Sequence, residues 1–146
     1  MSDIKKRLSL LKVEKRIKGL KGIKDVHFLT DKPKEIDWYA GELNPIDSPI
    51  SCLYEFSAAL ITKDLSRLIQ SLVGNRRQFI LVLWEFLPVY VLFQMESLDD
   101  FLSSYSTEFS TRDLTLFFQN QEKVLDFHLA EDKVEVRVLE NKAKSP

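Results

Sequence analysis

Asp126 and His128 are the pair of residues closest to a catalytic arrangement. They stand at i and i+2 in residues 124–130, where apolar and polar side chains alternate as in a strand, so both project from one face. A carboxylate beside an imidazole can orient the ring and support its charge in acid–base work. A simpler account is stronger. Leu125, Phe127 and Leu129 fill the opposite face, and polar residues belong on the wet side of a half-buried strand. Chemistry at this pair is not expected.

The other candidates are thinner. Glu85 interrupts the apolar run 79–92 and could be a buried acid with a raised pKa, but beside the turn-forming Leu87-Pro88 it is expected to reach solvent. Cys52 is the only cysteine; with no His or cluster of cations near it in sequence, it reads as a small hydrophobe rather than a nucleophile. Zinc needs about four His or Cys ligands at local spacing, and the chain has two His and one Cys, so no metal site is expected. The four glycines, at 19, 22, 41 and 74, form neither a phosphate-cradling loop nor a dinucleotide fingerprint, and no Gly-x-Ser-x-Gly elbow is present. The expectation is a chain without cofactor, metal or enzymatic activity. A small enzyme built on an unfamiliar carboxylate site stays open as an alternative.

The elements that must position these residues read as one α+β domain over residues 1–146, mainly an antiparallel sheet covered by about three helices. A helix is expected from a Ser2 cap to about Gly19. Its apolar residues form two sets on nearly opposite sides, Ile4, Leu8 and Leu11 against Leu10, Val13, Ile17 and Leu20. Short strands are expected at 25–30 and 36–40, and an exposed loop at 41–51, where Pro45 and Pro49 demand extended or turn backbone. Residues 53–61 fit a strand or a helix, with the strand preferred. A helix then runs from a Thr62 cap to Val73, stopped by Gly74-Asn75. The continuous apolar run 79–84 marks a central strand covered on both faces, and 89–93 returns as its hairpin partner. Ser97, with Asp100 three residues on, caps a helix to about Tyr105. Residues 114–118, 124–130 and 134–139 form a C-terminal β-meander, each of its last two strands with one buried and one wet face, and 141–146 is expected to fray.

Composition points the same way. A chain of 146 residues with 45% hydrophobic and 29% charged residues is ordinary globular material. No apolar stretch follows Lys5-Lys6-Arg7 as in a secretory signal, no run is long enough to span a bilayer, and a single cysteine allows no internal disulfide, so a reducing cytoplasm is the expected setting. The net charge of -1 conceals an asymmetry. Residues 1–24 hold nine Lys or Arg against Asp3 and Glu14, a balance of +7, while residues 84–132 hold ten Asp or Glu against Arg112 and Lys123, a balance of -8. Such separation can steer charged partners.

Which partner follows from elimination. The basic helix could touch phosphates, but no base-reading module accompanies it and its lysines surround the helix, so a nucleic-acid accessory role ranks second. A membrane surface ranks lower, because interfacial helices need one broad apolar face and here the apolar residues are split. Two regions have the composition of a protein-binding surface. Trp38 and Tyr39 stand ahead of Glu42 and Asp47 in a proline-constrained segment, although a place plugging an edge of the core is slightly favoured for both aromatics. The acids Glu96, Asp99 and Asp100, then Asp126, Glu131 and Asp132, supply a negative surface.

In these features, namely Trp38-Tyr39-Ala40-Gly41-Glu42, the hairpin containing Trp84-Glu85-Phe86 and the acidic positions, the chain resembles the immunity proteins of bacterial polymorphic-toxin and contact-dependent growth inhibition systems. The resemblance is one of architecture and style and transfers no functional residue. It implies one-to-one binding to a cognate toxin domain, often a basic nuclease, with complementary charge speeding capture and a few desolvated aromatics holding the complex.

Overall fold

The computed structural model describes residues 3–39, 54–57, 63–86, 88–109, 114–130 and 133–141. Three helices, α1 (Asp3–Ile17), α2 (Lys63–Val73) and α3 (Leu98–Phe109), accompany seven strands. These are β1 (Ile23–Leu29), β2 (Tyr54–Ser57), β3 (Gln78–Val82), β4 (Tyr90–Met95), β5 (Leu114–Phe118), β6 (Lys123–Ala130) and β7 (Lys133–Glu140). They form one antiparallel α+β sheet in the order β1-β4-β3-β5-β6-β7-β2.

Burial explains that order. Every residue of β5 is buried, as are Phe79 to Val82 of β3, and these continuously apolar strands take the middle of the sheet. On one face Phe79, Leu81, Val91, Phe93, Leu116, Phe118, Leu125 and Phe127 meet Val13 and Ile17 of α1, Ile69 and Val73 of α2, and Phe101 and Tyr105 of α3. The α3 stripe Leu98, Phe101, Tyr105 and Phe109 is buried, and its rings run in sequence from Phe93: Phe93–Phe101 at 5.4 Å, Phe101–Tyr105 at 5.8 Å and Tyr105–Phe109 at 4.9 Å between centroids. Burying one such side chain stabilises the fold by about 1.5–3 kcal/mol. Ser97 caps this helix as its sequence implies, its Oγ accepting the Asp100 N–H at 3.4 Å, but α3 continues four residues past Tyr105. Gly74 ends α2 at φ 59°, donating its N–H to the Gln70 carbonyl at 2.9 Å.

The second face carries a smaller cluster of Ile80, Val82, Tyr90, Phe117 and Val124, and it is covered by Ile36 with Trp38 and Tyr39. Here the expected strand at 36–40 gives way to a 3₁₀ turn, Lys34–Ile36. The N–H groups of Ile36, Asp37 and Tyr39 bond three residues back, to Pro33, Lys34 and Ile36, so no ladder partner is needed. Strand β2 settles the ambiguity within 53–61 for residues 54–57, while the loop at 41–51, the Thr62 cap and Cys52 lie outside the described residues.

Two further expectations are corrected. The wet face of the meander is not uniformly wet, since Val124 and Asp126 are both buried there. Nor does fraying begin at residue 141: Asn141 is buried, its backbone N–H donating to the Glu122 carbonyl at 2.8 Å and its Nδ2 to the Gln121 carbonyl at 3.0 Å, while the rest of the expected tail, 142–146, lies outside the described residues.

Candidate functional site

Strand β5 enters the sheet between β3 and β6 at Leu114, and a pocket of about 130 Å³ opens at that point. The register aligns Val82 with Thr115 and Thr115 with Asp126, so the end of β3, the start of β5 and the last part of β6 share one edge of the molecule. After Val82 the chain leaves the ladder for a 3₁₀ turn, Trp84–Phe86, which carries Trp84 and Glu85 to the pocket. The C-terminal half of α3 supplies Tyr105 and Phe109, and β6 supplies Asp126, Phe127 and His128.

A chain of hydrogen bonds fixes the polar wall. The Trp84 indole N–H donates to Thr115 Oγ1 at 2.8 Å, and the Thr115 hydroxyl donates to Asp126 Oδ1 at 2.7 Å. One threonine oxygen therefore acts as both acceptor and donor. Asp126 is only 6% exposed, whereas Trp84 is 55% exposed: a large aromatic surface held in place by its own N–H. In the ladder Asp126 lies opposite Arg137 and His128 opposite Glu135, and Arg137 Nη2 donates to Glu135 Oε2 at 3.0 Å. Thr115, Asp126 and Arg137 thus form a polar row across three strands, on the face whose other half is apolar.

Of the residues picked out from the sequence, the fold brings few together. Asp126 and His128 do line one pocket, and Glu85 reaches its mouth, exposed as expected. Asp126 is corrected as a contributor to an open acidic surface, because burial and the Thr115 hydroxyl confine its carboxylate to the pocket wall. Trp38 and Tyr39, both half-buried, take the core-edge place that the sequence also offered them. Both pack edge-on against Phe117, at 6.1 and 5.3 Å between centroids, and serve the second core cluster. Glu96, Asp99 and Asp100 are exposed around the start of α3, the opposite end of that helix from the pocket-lining Phe109, and Glu96 is 4.0 Å from Lys24. Glu42, Asp47, Glu131 and Asp132 lie outside the described residues.

The sequence pointed to Trp84 only within the run 79–84 and the hairpin segment Trp84-Glu85-Phe86, and to Thr115 only as part of the strand 114–118, neither as a site residue. The signal available for Trp84 was its position, directly before Glu85 at the end of a core run, where an aromatic passes from strand to turn.

No helix among the described residues is long and apolar enough to cross a membrane, and no three of their His, Cys, Asp or Glu side chains group as a metal site would require. No family model matches the chain, and comparison with curated proteins and with solved structures finds no match either.

Proposed function

We propose that the chain is a non-enzymatic protein-binding module, an immunity protein that neutralises a basic toxin domain, and that Trp84 with its adjoining pocket is the contact point. The observation that carries this reading is the pairing of an anchored, exposed tryptophan with a pocket of about 130 Å³. Sites for small-molecule substrates run to roughly 300–1,000 Å³. A pocket well below that range takes one side chain from a partner. Exposed aromatics beside such pockets are the usual centres of interface energy. Glu85 and Asp126 make the wall acidic, which favours a Lys or Arg from a basic partner.

Co-expression with a basic toxin domain, taken from the neighbouring genes where one is encoded there, tests the reading. It is expected to restore growth and to yield a one-to-one complex. Trp84→Ala should weaken that complex by about 2 kcal/mol or more, roughly 30-fold, as truncation of a hot-spot aromatic does. Continued toxicity with no complex formed would refute it.

One observation favours a second reading: Asp126 and His128 share the pocket, as an acid–base pair must. Turnover of a substrate by the purified chain, abolished by His128→Ala, would replace the binding proposal with this one.

A further inference from the structure

Helix α1 carries its two apolar sets for two different purposes. Val13, Ile17 and Leu20 are buried in the main core, with Leu10 packed against it. The other set faces outward: Ile4 is 72%, Leu8 53% and Leu11 58% exposed. At about 100° per residue these three fall within about 60° of one another on the helix surface. Among the described residues, only Trp84 joins them as an exposed large hydrophobic.

The cations sort in the same way. Lys6 pairs with Asp31 at 3.1 Å, and Arg16 is held against Phe86 and Phe109. Lys5, Arg7, Lys12, Lys15 and Lys18 are all exposed. By helical position Arg7 and Lys18 flank one side of the apolar stripe, Lys5 and Lys12 the other, and Lys15 lies within it. Asp3 and Glu14 fall beyond Arg7, toward the buried side.

We propose that this face of α1 docks on an anionic lipid bilayer, with Ile4, Leu8 and Leu11 at the acyl boundary and the five cations among the headgroups. The stripe is narrow, but long cationic side chains stand on both its flanks, and Lys and Arg stems of this length reach up to the headgroups when a helix lies in the membrane interface. With Val13, Ile17 and Leu20 committed to the core, the apolar residues left outside lie on one side of the helix. Charge complementarity fixes the sign of the surface. Five like charges oppose docking of a second copy through the same face. Nucleic acid offers phosphates but gives three apolar side chains no place. The back of α1 is packed on its own domain, so only a convex half-cylinder projects, and a continuous plane fits it better than an enclosing groove does. This proposal does not depend on the Trp84 pocket, and its failure would leave that reading unchanged.

Co-sedimentation of the full chain with vesicles of phosphatidylcholine, with and without phosphatidylglycerol, tests it. Binding to the anionic vesicles at low salt is expected to be at least about tenfold stronger than to the neutral ones and to weaken as salt rises. Leu8→Gln/Leu11→Gln, both at exposed positions, should reduce binding about tenfold with an unchanged melting temperature, and Lys12→Glu/Lys15→Glu should abolish the preference for phosphatidylglycerol. No sedimentation with anionic vesicles at low salt would overturn the proposal. So would binding that survives Leu8→Gln/Leu11→Gln, which would make the face a simple cation patch. Binding to calmodulin as an acidic-groove probe, with none to vesicles, would also overturn it and assign the face to a protein.

Discussion

Thr115 Oγ1 accepts from one side chain and donates to another, and nothing smaller than a hydroxyl can do both in the space between Trp84 and Asp126. Thr115→Val keeps the shape of this buried side chain but leaves a carboxylate oxygen without its donor and the indole without its acceptor. The expected cost is about 1–3 kcal/mol, read as a fall in melting temperature of roughly 2–4 °C per kcal/mol for a chain of this size. A melting temperature unchanged from wild type would show that the chain of bonds contributes nothing to stability. Alternation in β6 was legible and put Asp126 on the correct face. It could not report depth, because a period of two tells which side a residue takes and not whether anything covers that side. Asp126 was therefore read as wet when it is buried. Gly22 illustrates the same limit. Its φ of 76° and the collision a Cβ would make with the Ser97 carbonyl explain why glycine is needed, yet the sequence showed it only as one of four scattered glycines.

Elements were more legible than residues because long periodic segments carry many agreeing signals. The three helices and the meander follow their apolar spacing, and the central position of β3 follows its unbroken run. The segment 36–40 failed because five residues with alternating Ile36, Asp37 and Trp38 satisfy a short strand and a 3₁₀ turn equally well, and only the presence of a ladder partner decides. What joins one element to another was hidden altogether. Arg16 is the clearest case: its guanidinium lies 5.5 Å from the Phe86 ring centroid and 5.7 Å from that of Phe109, and its Nη1 donates to the Glu108 carbonyl at 3.2 Å. A cation at the carbonyl end of α3 is also favoured by the helix dipole. Arg16→Ala is expected to cost about 2 kcal/mol through the lost ring contacts and hydrogen bond. Arg16→Lys should recover only part of this, since an ammonium lacks the planar fork that faces both rings. Denaturant midpoints at constant m-value are the measurement. Full recovery by lysine would reduce the contact to bare charge.

For the whole molecule, the decisive fact is that β1 and β2, consecutive in sequence, occupy opposite edges of the sheet. Six interstrand spacings of about 4.8 Å separate them, roughly 29 Å, and the chain between Leu29 and Tyr54 must cover that distance. Hydrophobic pattern identifies strands but carries no order among them, so this crossing was not legible. Its described part, with Ile36, Trp38 and Tyr39, packs on the second face, while all three helices take the first. The two clusters are separate, yet they are built on opposite sides of the same strands: Ile80 and Leu81 are neighbours in β3, and Leu116 and Phe117 in β5. Loosening one face therefore loosens the strands that the other depends on. Trp38→Ala removes a ring packed edge-on against Tyr39 and Phe117 and should cost about 3 kcal/mol, the low end for a large aromatic because Trp38 is only half-buried. The loss should appear as a single earlier transition. The helix signal in circular dichroism, which reports the first face, and the fluorescence of Trp84, which sits at the end of β3 beside Val82 and Thr115 of the second, are expected to shift together. If the fluorescence shifted early while the helix signal kept its wild-type midpoint, the strands would not couple the two faces, and the second cluster would be a dispensable cover over an independently stable helix-backed sheet.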